Sequence, residues 1–205
     1  MHHATYNSGA ELNTRRIKVS FQVIALLSMM LVSAVPQPAG AQPATEEYKV
    51  KAAFLFHFAQ LVDWPVGALN AGDESLNLCV FDDEPRLQEL QSTLEDKLVG
   101  VRKLHVHLLS QAQGAQGCNI LFLSRDEGRR QVAILRSLSG QPVLTIGETD
   151  DFLADGGMIR FLLDGDKIRF DIDAGTADSS HLKISSRLLL LASTVTLGGH
   201  TDGGR

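Results

Sequence analysis

The chain has 205 residues, 44% of them hydrophobic, 21% charged and 6% aromatic, with a formal net charge of −5. That length supports one domain with a full core, and the near-average composition excludes disorder, coiled coils and collagen-like repeats. The acidic balance argues against nucleic acid as a partner, because phosphate neutralisation needs clustered Lys and Arg, and two cysteines exclude a disulfide-dense miniprotein or a four-Cys zinc site.

The chain opens on a segment that does not read as folded domain. Residues 1–18 are polar and end in Arg15, Arg16 and Lys18, an apolar run extends from Val19 to Val35, and Pro36, Pro38 and Ala39-Gly40-Ala41 follow. A cationic end, an apolar run too short for a comfortable membrane span and a small-residue A-x-A site describe a secretory signal peptide, here with cleavage after Ala41. Arg15-Arg16 also raises the twin-arginine route, although the flanking residues match it poorly. Removing 1–41 leaves 164 residues with 16 basic and 23 acidic side chains, a formal −7. The expected organisation is a signal over 1–41, one α/β domain over 42–197 and a loose tail over 198–205, with the mature protein soluble in an oxidising compartment, the periplasm.

From Glu46 to Trp64 apolar residues recur at helical spacing (Ala52, Leu55, Phe56, Ala59, Val62), with Thr45 as N-cap and Pro65 as the stop. Leu76–Phe81 reads as a buried strand. Asp82-Asp83-Glu84-Pro85 opens a helix striped by Leu87, Leu90, Leu94 and Leu98 and ended by Gly100. Lys103–Leu109 alternates as a strand, 110–117 connects, and Asn119–Leu123 is a second buried strand. Glu127–Leu138 reads as a helix with Val132, Leu135 and Leu138 inward, and Pro142–Ile146 as another strand. Met158–Leu163 and Lys167–Asp173 flank Asp164-Gly165-Asp166 as a hairpin at the sheet edge, and Ile184–Val195 reads as a final helix with Leu188, Leu191 and Val195 on one stripe. The alternation predicts an α/β fold: a mostly parallel three-layer sandwich, flavodoxin- or Rossmann-like, with a C-terminal antiparallel hairpin and a final helix.

Cys79 and Cys118 are an even pair in an oxidising compartment, which reads first as one disulfide and otherwise as two buried thiols. If they are bonded, the first and third strands are neighbours and the strand order is 2-1-3-4. No catalytic set assembles. His105 and His107 share a strand face without a third metal ligand, His57 lies in an apolar helix, and Asp150, Asp151, Asp155, Asp164 and Asp166 lack calcium-loop spacing. Gly147-Glu148 and Ser124 follow strands, where α/β proteins place ligands, but neither a phosphate loop nor G-x-S-x-G is present. No cofactor and no metal are expected, and no enzymatic activity.

Several segments together resemble one family. They are Tyr48–Pro65, Ile146-Gly147-Glu148-Thr149-Asp150-Asp151-Phe152, Gly156-Gly157-Met158-Ile159-Arg160-Phe161, Phe170–Asp173 and Leu182–Leu189 running into Leu191-Ala192. In order and spacing they look like the YfiR family of secreted, mostly periplasmic proteins. The resemblance implies a periplasmic repressor of an inner-membrane diguanylate cyclase. Such a repressor binds the cyclase's periplasmic sensor domain and lowers cyclic-di-GMP and biofilm formation. An OmpA-like outer-membrane lipoprotein can sequester it, and homodimers are implied. The resemblance also matches Cys79–Cys118 to the family's long-loop disulfide. The second cysteine pair that some members carry near Gly147–Phe161 is missing here. The motif residues Trp64, Pro65, Gly147, Glu148, Phe152, Gly156, Gly157, Ser185, Ser186 and Leu188 have structural readings: helix stop, tight turn, cap and core contact. The expected partner surface is the Glu148–Gly157 loop, with Asp150, Asp151 and Asp155, and the His181–Arg187 junction, with Lys183. The rival expectation is a periplasmic small-molecule-binding sensor.

Overall fold

The computed structural model describes residues 42–69, 75–81 and 84–197. The expected signal with its Ala39–Ala41 site, Asp82-Asp83 and the tail over 198–205 lie outside the described residues. Helix α1 (Gln42–Gln60) carries Tyr48, Ala52, Leu55, Phe58 and Ala59 on one buried stripe, so its position is set by that stripe and not by propensity alone. It starts before Thr45, which therefore does not cap it, and it ends before Trp64-Pro65. Strand β1 (Val62–Asp63) has replaced the last helical turn. It pairs antiparallel with a distant strand, and those ladder bonds outweigh a continued helix.

Strand β2 (Ser75–Phe81) leads to helix α2 (Glu84–Leu94), which is shorter than its leucine pattern predicts. Leu98 and Val99 form strand β3, which folds back on β4 (Arg102–Leu108), with Leu98 opposite Lys103 and Val99 opposite Arg102. Gly100, with φ +62°, turns that hairpin and does not end the helix, and Leu98 is exposed. A 3-10 segment (Ala112–Gly117) precedes strand β5 (Ile120–Leu123), and another (Arg125–Glu127) precedes helix α3 (Gly128–Ser137). The buried stripe of α3 continues past its end: Gln131, Ile134, Leu135 and Leu138 point inward, while Val132 is exposed. The phase differs from the prediction because a glutamine takes the first inward position.

Strand β6 (Leu144–Gly147) is followed by the hairpin β7 (Ile159–Asp164) and β8 (Lys167–Asp173), turned at Gly165. A short helix α4 (Ala174–Ser179), strand β9 (Lys183–Ile184), helix α5 (Ser186–Leu189) and strand β10 (Thr194–Thr196) complete the described chain. The expected final helix over 184–195 is therefore one helical turn between two strands. Ile184 pairs with Val62, and Val195 pairs with Ile172. Of its predicted stripe, Leu188 is buried and Leu191 exposed. β10 lies outside β8, so the hairpin is not the sheet edge.

The main sheet has eight strands in the order β10-β8-β7-β6-β5-β2-β4-β3 and is mixed, with β3/β4 and β7/β8 antiparallel and the other neighbours parallel. Its five consecutive parallel strands run β4-β2-β5-β6-β7, and the first four keep the predicted 2-1-3-4 order. Alternate residues of β2 and β5 feed two separate cores. Leu76, Leu78, Val80, Ile120 and Phe122 pack with α1 and α2, and Phe81, Leu121 and Leu123 pack with Ile134, Leu135 and Phe152. Buried on both faces, these strands read as near-continuous apolar runs. Cys79 and Cys118 are disulfide-bonded, with Cα atoms 5.8 Å apart, and tie β2 to the residue row that leads into β5.

Candidate functional site

The carboxyl ends of β5 and β6 carry the densest polar chemistry among the described residues. Gly147 ends β6 and Glu148 turns inward, with 5% of its surface exposed. Its carboxylate is held from three directions. Lys51 of α1, also 5% exposed, forms an ion pair with Oε1. Tyr48 Oη lies 3.4 Å from Oε2, and the Arg125 backbone N–H donates to Oε2 at 3.1 Å. Lys51 also pairs with Glu47 one turn earlier, and its ammonium lies 4.5 Å from the Tyr48 ring centroid. Glu148 is therefore not part of an exposed partner surface: burial against α1 removes it from that expectation.

The loop after Glu148 is built around Phe152, which is fully buried. A Cβ on Gly147 or on Gly157 would meet its ring at 2.1 Å, so both glycines exist to admit that ring. Gln131 of α3 bridges the loop: it donates to Asp155 Oδ2 at 2.6 Å and accepts from Thr149 Oγ1 at 2.6 Å. Arg160 donates to the Asp150 carbonyl at 2.8 Å and to Asp171 Oδ2 at 2.6 Å. Asp150 and Asp151 remain exposed, while Asp155 is half-buried by its bond to Gln131. Gly156 takes φ +97°.

The second expected segment lies against β1 instead. His181 is exposed with φ +60° directly after α4, and the Leu182 N–H returns to the Ala177 carbonyl. It closes a helix end, the geometry in which a residue past the last turn adopts left-handed backbone. Lys183 pairs across from Asp63 in the β9/β1 ladder, with its side chain exposed. Ser185 Oγ accepts the Leu188 N–H at 3.3 Å, and Ser185 N–H donates to the Leu61 carbonyl at 2.9 Å. Ser186 and Arg187 are exposed. Trp64 is half-buried against the first core.

Elsewhere, His105 Nδ1 lies 2.7 Å from Glu95 Oε1, and the Val106 N–H donates to Glu95 Oε2 at 2.9 Å. Burial alone would raise the Glu95 pKa, but the His105 and Val106 hydrogen bonds outweigh it and hold the carboxyl below its usual range. His107 Nε2 lies 3.0 Å from Asn77 Oδ1. No group of three His, Cys, Asp or Glu among the described residues is placed to hold a metal ion, and no described helix is long and apolar enough to cross a membrane. An open groove of about 620 Å³ runs between α1 and the β7–β8 turn, floored by Val50, Phe54, Leu163 and Ile168.

The segments that carry the resemblance are thus spent on this architecture: the inward ion pair, the Phe152 socket and the β1/β9 clasp. A YfiR/HmsC-like family model matches residues 48–193. The chain belongs to the YfiR/HmsC-like family. No curated protein matches it. Lys51, Tyr48 and Gln131 of this YfiR/HmsC-like chain were not singled out as site residues from the sequence. The available signal was a polar side chain at an inward stripe position: Lys51 between Tyr48 and Leu55, and Gln131 three and four residues before Ile134 and Leu135.

Proposed function

We propose that this chain is a periplasmic regulatory protein that represses an inner-membrane diguanylate cyclase by binding its periplasmic sensor domain. The observation that carries the reading is the family match across residues 48–193. The chemistry within that span supports it. The best-formed polar cluster, Glu148 with Lys51, Tyr48 and Arg125 N–H, is internally satisfied and buried, and so holds the fold together without presenting a nucleophile or base to a substrate. A regulator of this kind works through its surface, and the candidate contacts are Asp150, Asp151, Asp155, His181, Lys183 and Arg187. Sequestration by an OmpA-like lipoprotein and assembly as a homodimer belong to the same proposal. Deleting the gene in a host that retains the cyclase should raise cyclic-di-GMP, and complementation should lower it again. An unchanged level in the deletion strain would overturn the reading.

The second reading is a small-molecule sensor, for which the apolar-floored groove between α1 and the β7–β8 turn offers the site. It predicts a ligand-dependent rise in Tm that a substitution of Phe54 or Leu163 reduces. Melting that no metabolite shifts would leave the groove without a ligand.

A further inference from the structure

In doubly wound α/β sheets ligands bind outside the carboxyl ends of the parallel strands, where the strand order reverses. In this sheet the reversal lies between β2 and β5: the chain moves outward from β2 to β4, then crosses back to β5 and β6. The residues just past β5 are Ser124, whose Oγ is buried with no partner among the described residues, and Arg125, whose N–H points at a carboxylate. That carboxylate belongs to the chain itself. Lys51 supplies the positive charge, and Tyr48 Oη and the Arg125 N–H supply directed donors, which together are the donor set that would bind a small anionic ligand.

We propose that this cradle is a carboxylate-binding site permanently filled by Glu148, which acts as an internal ligand. Three features support an internal-ligand reading over a simple surface ion pair. Both charged partners are buried, so Lys51 is not solvated when Glu148 is withdrawn and keeps only its pair with the part-exposed Glu47. The donors come from two elements far apart in sequence, α1 and the segment after β5, so they stay in place when residue 148 changes. Glu148 enters from a third element, the loop after β6, whose next residues are anchored independently through Phe152 and Gln131. Removing the carboxylate should therefore leave a preformed cavity with a buried cation and directed donors, and a free carboxylate of the right size should enter it. Formate is the smallest probe of that chemistry, and acetate tests the room available.

The test is the thermal stability of the purified protein with Glu148→Ala, in sodium formate against sodium chloride at matched ionic strength. Breaking a buried pair by removing one partner should lower Tm by roughly 10 °C in chloride. Formate should then recover about half of that loss with saturable dependence on concentration, whereas the unsubstituted protein should show no formate-specific shift because Glu148 fills the site. Adding Lys51→Met to Glu148→Ala removes the buried cation, and should abolish the formate response while the doubly substituted protein still folds. If the single variant does not fold in chloride, the yield of folded protein on refolding in formate against chloride becomes the readout. Equal stability, or equal yield, of the Glu148→Ala variant in the two salts would overturn the proposal. So would a formate response of the same size in the unsubstituted protein, or one that survives Lys51→Met.

Discussion

Single residues decide whether the 148–157 loop has one conformation. Phe152 sits where two backbones approach a ring closely enough to exclude even a methyl group, and the Phe152 carbonyl lies 2.7 Å from where a Cβ on Gly157 would stand. Ring and carbonyl cannot both retreat, because the Gly157 N–H donates to that same carbonyl at 2.8 Å. Gly157→Ala should therefore cost about 1–3 kcal/mol as an overpacked site, read as a lower urea midpoint with an unchanged slope. Glu95 makes a different residue-scale argument. Its carboxyl is held below the usual range in the folded state, so the stability it contributes is present above the unfolded pKa. That contribution is lost as pH falls through the lower folded value, which places its effect on the acid limb below about pH 4. Solvent screening keeps the effect small, since the Glu95 side chain is 41% exposed. Glu95→Gln should lower Tm slightly at neutral pH and flatten the acid limb of a Tm-against-pH curve. An acid limb unchanged by that substitution would remove Glu95 from it.

At the scale of elements, what the sequence made legible was the part that local rules govern. Strands β2, β5 and β6 announce themselves as short apolar runs and β4 as an alternating one, and their order follows once Cys79 and Cys118 are bonded. In the C-terminal third the β7/β8 hairpin was legible from its Asp-Gly turn, but the pairings around it were not. Lys183-Ile184 and Val62-Asp63 are two-residue strands whose only reason to be extended is each other, at the far end of the domain in sequence (Val62 opposite Ile184, Asp63 opposite Lys183). Thr194–Thr196 is extended because β8 offers it a parallel edge. Periodicity over Ile184–Val195 fits a helix in isolation, and tertiary pairing overrides it. Gly100 likewise turns the tight β3/β4 hairpin, where Val99 faces Arg102 only three residues on and strand pairing overrides the leucine stripe. The disulfide adds a constraint to elements that already pair: β2 and β5 are joined by a ladder from Leu78/Ile120 to Phe81/Leu123 whether or not the sulfurs are linked. Replacing both cysteines by serine should therefore keep the fold while lowering stability by about 2–4 kcal/mol, the loop-closure contribution for a cross-link of this span. Circular dichroism should be unchanged at 25 °C and Tm reduced. Loss of secondary structure at that temperature would mean that the ladder depends on the bond.

On the scale of the whole molecule, the proposed regulator has to meet its partner with residues that the core does not use. Glu148 shows how misleading sequence position can be: it stands beside Asp150 and Asp151 in the chain, yet it faces inward while they face solvent. Asp150, Asp151, Lys183 and Arg187 are all exposed, and the backbones around them are fixed by bonds that their side chains do not make: Arg160 to the Asp150 carbonyl, the β1/β9 ladder at Lys183, and the Ser185 cap before Arg187. Reversing these charges should therefore leave stability within about 0.5 kcal/mol, the ordinary range for exposed substitutions. If either segment contacts the cyclase sensor domain, the same reversals replace complementary charge with like charge, which costs far more at an interface than at a free surface. Asp150→Lys with Asp151→Lys, and separately Lys183→Glu with Arg187→Glu, should raise cyclic-di-GMP towards the deletion level while the purified proteins melt as the unsubstituted one does. The pair that releases the cyclase marks the face it binds. Full repression by both variants, at normal abundance, would exclude both segments as the contact surface and direct the search to the groove between α1 and the β7–β8 turn.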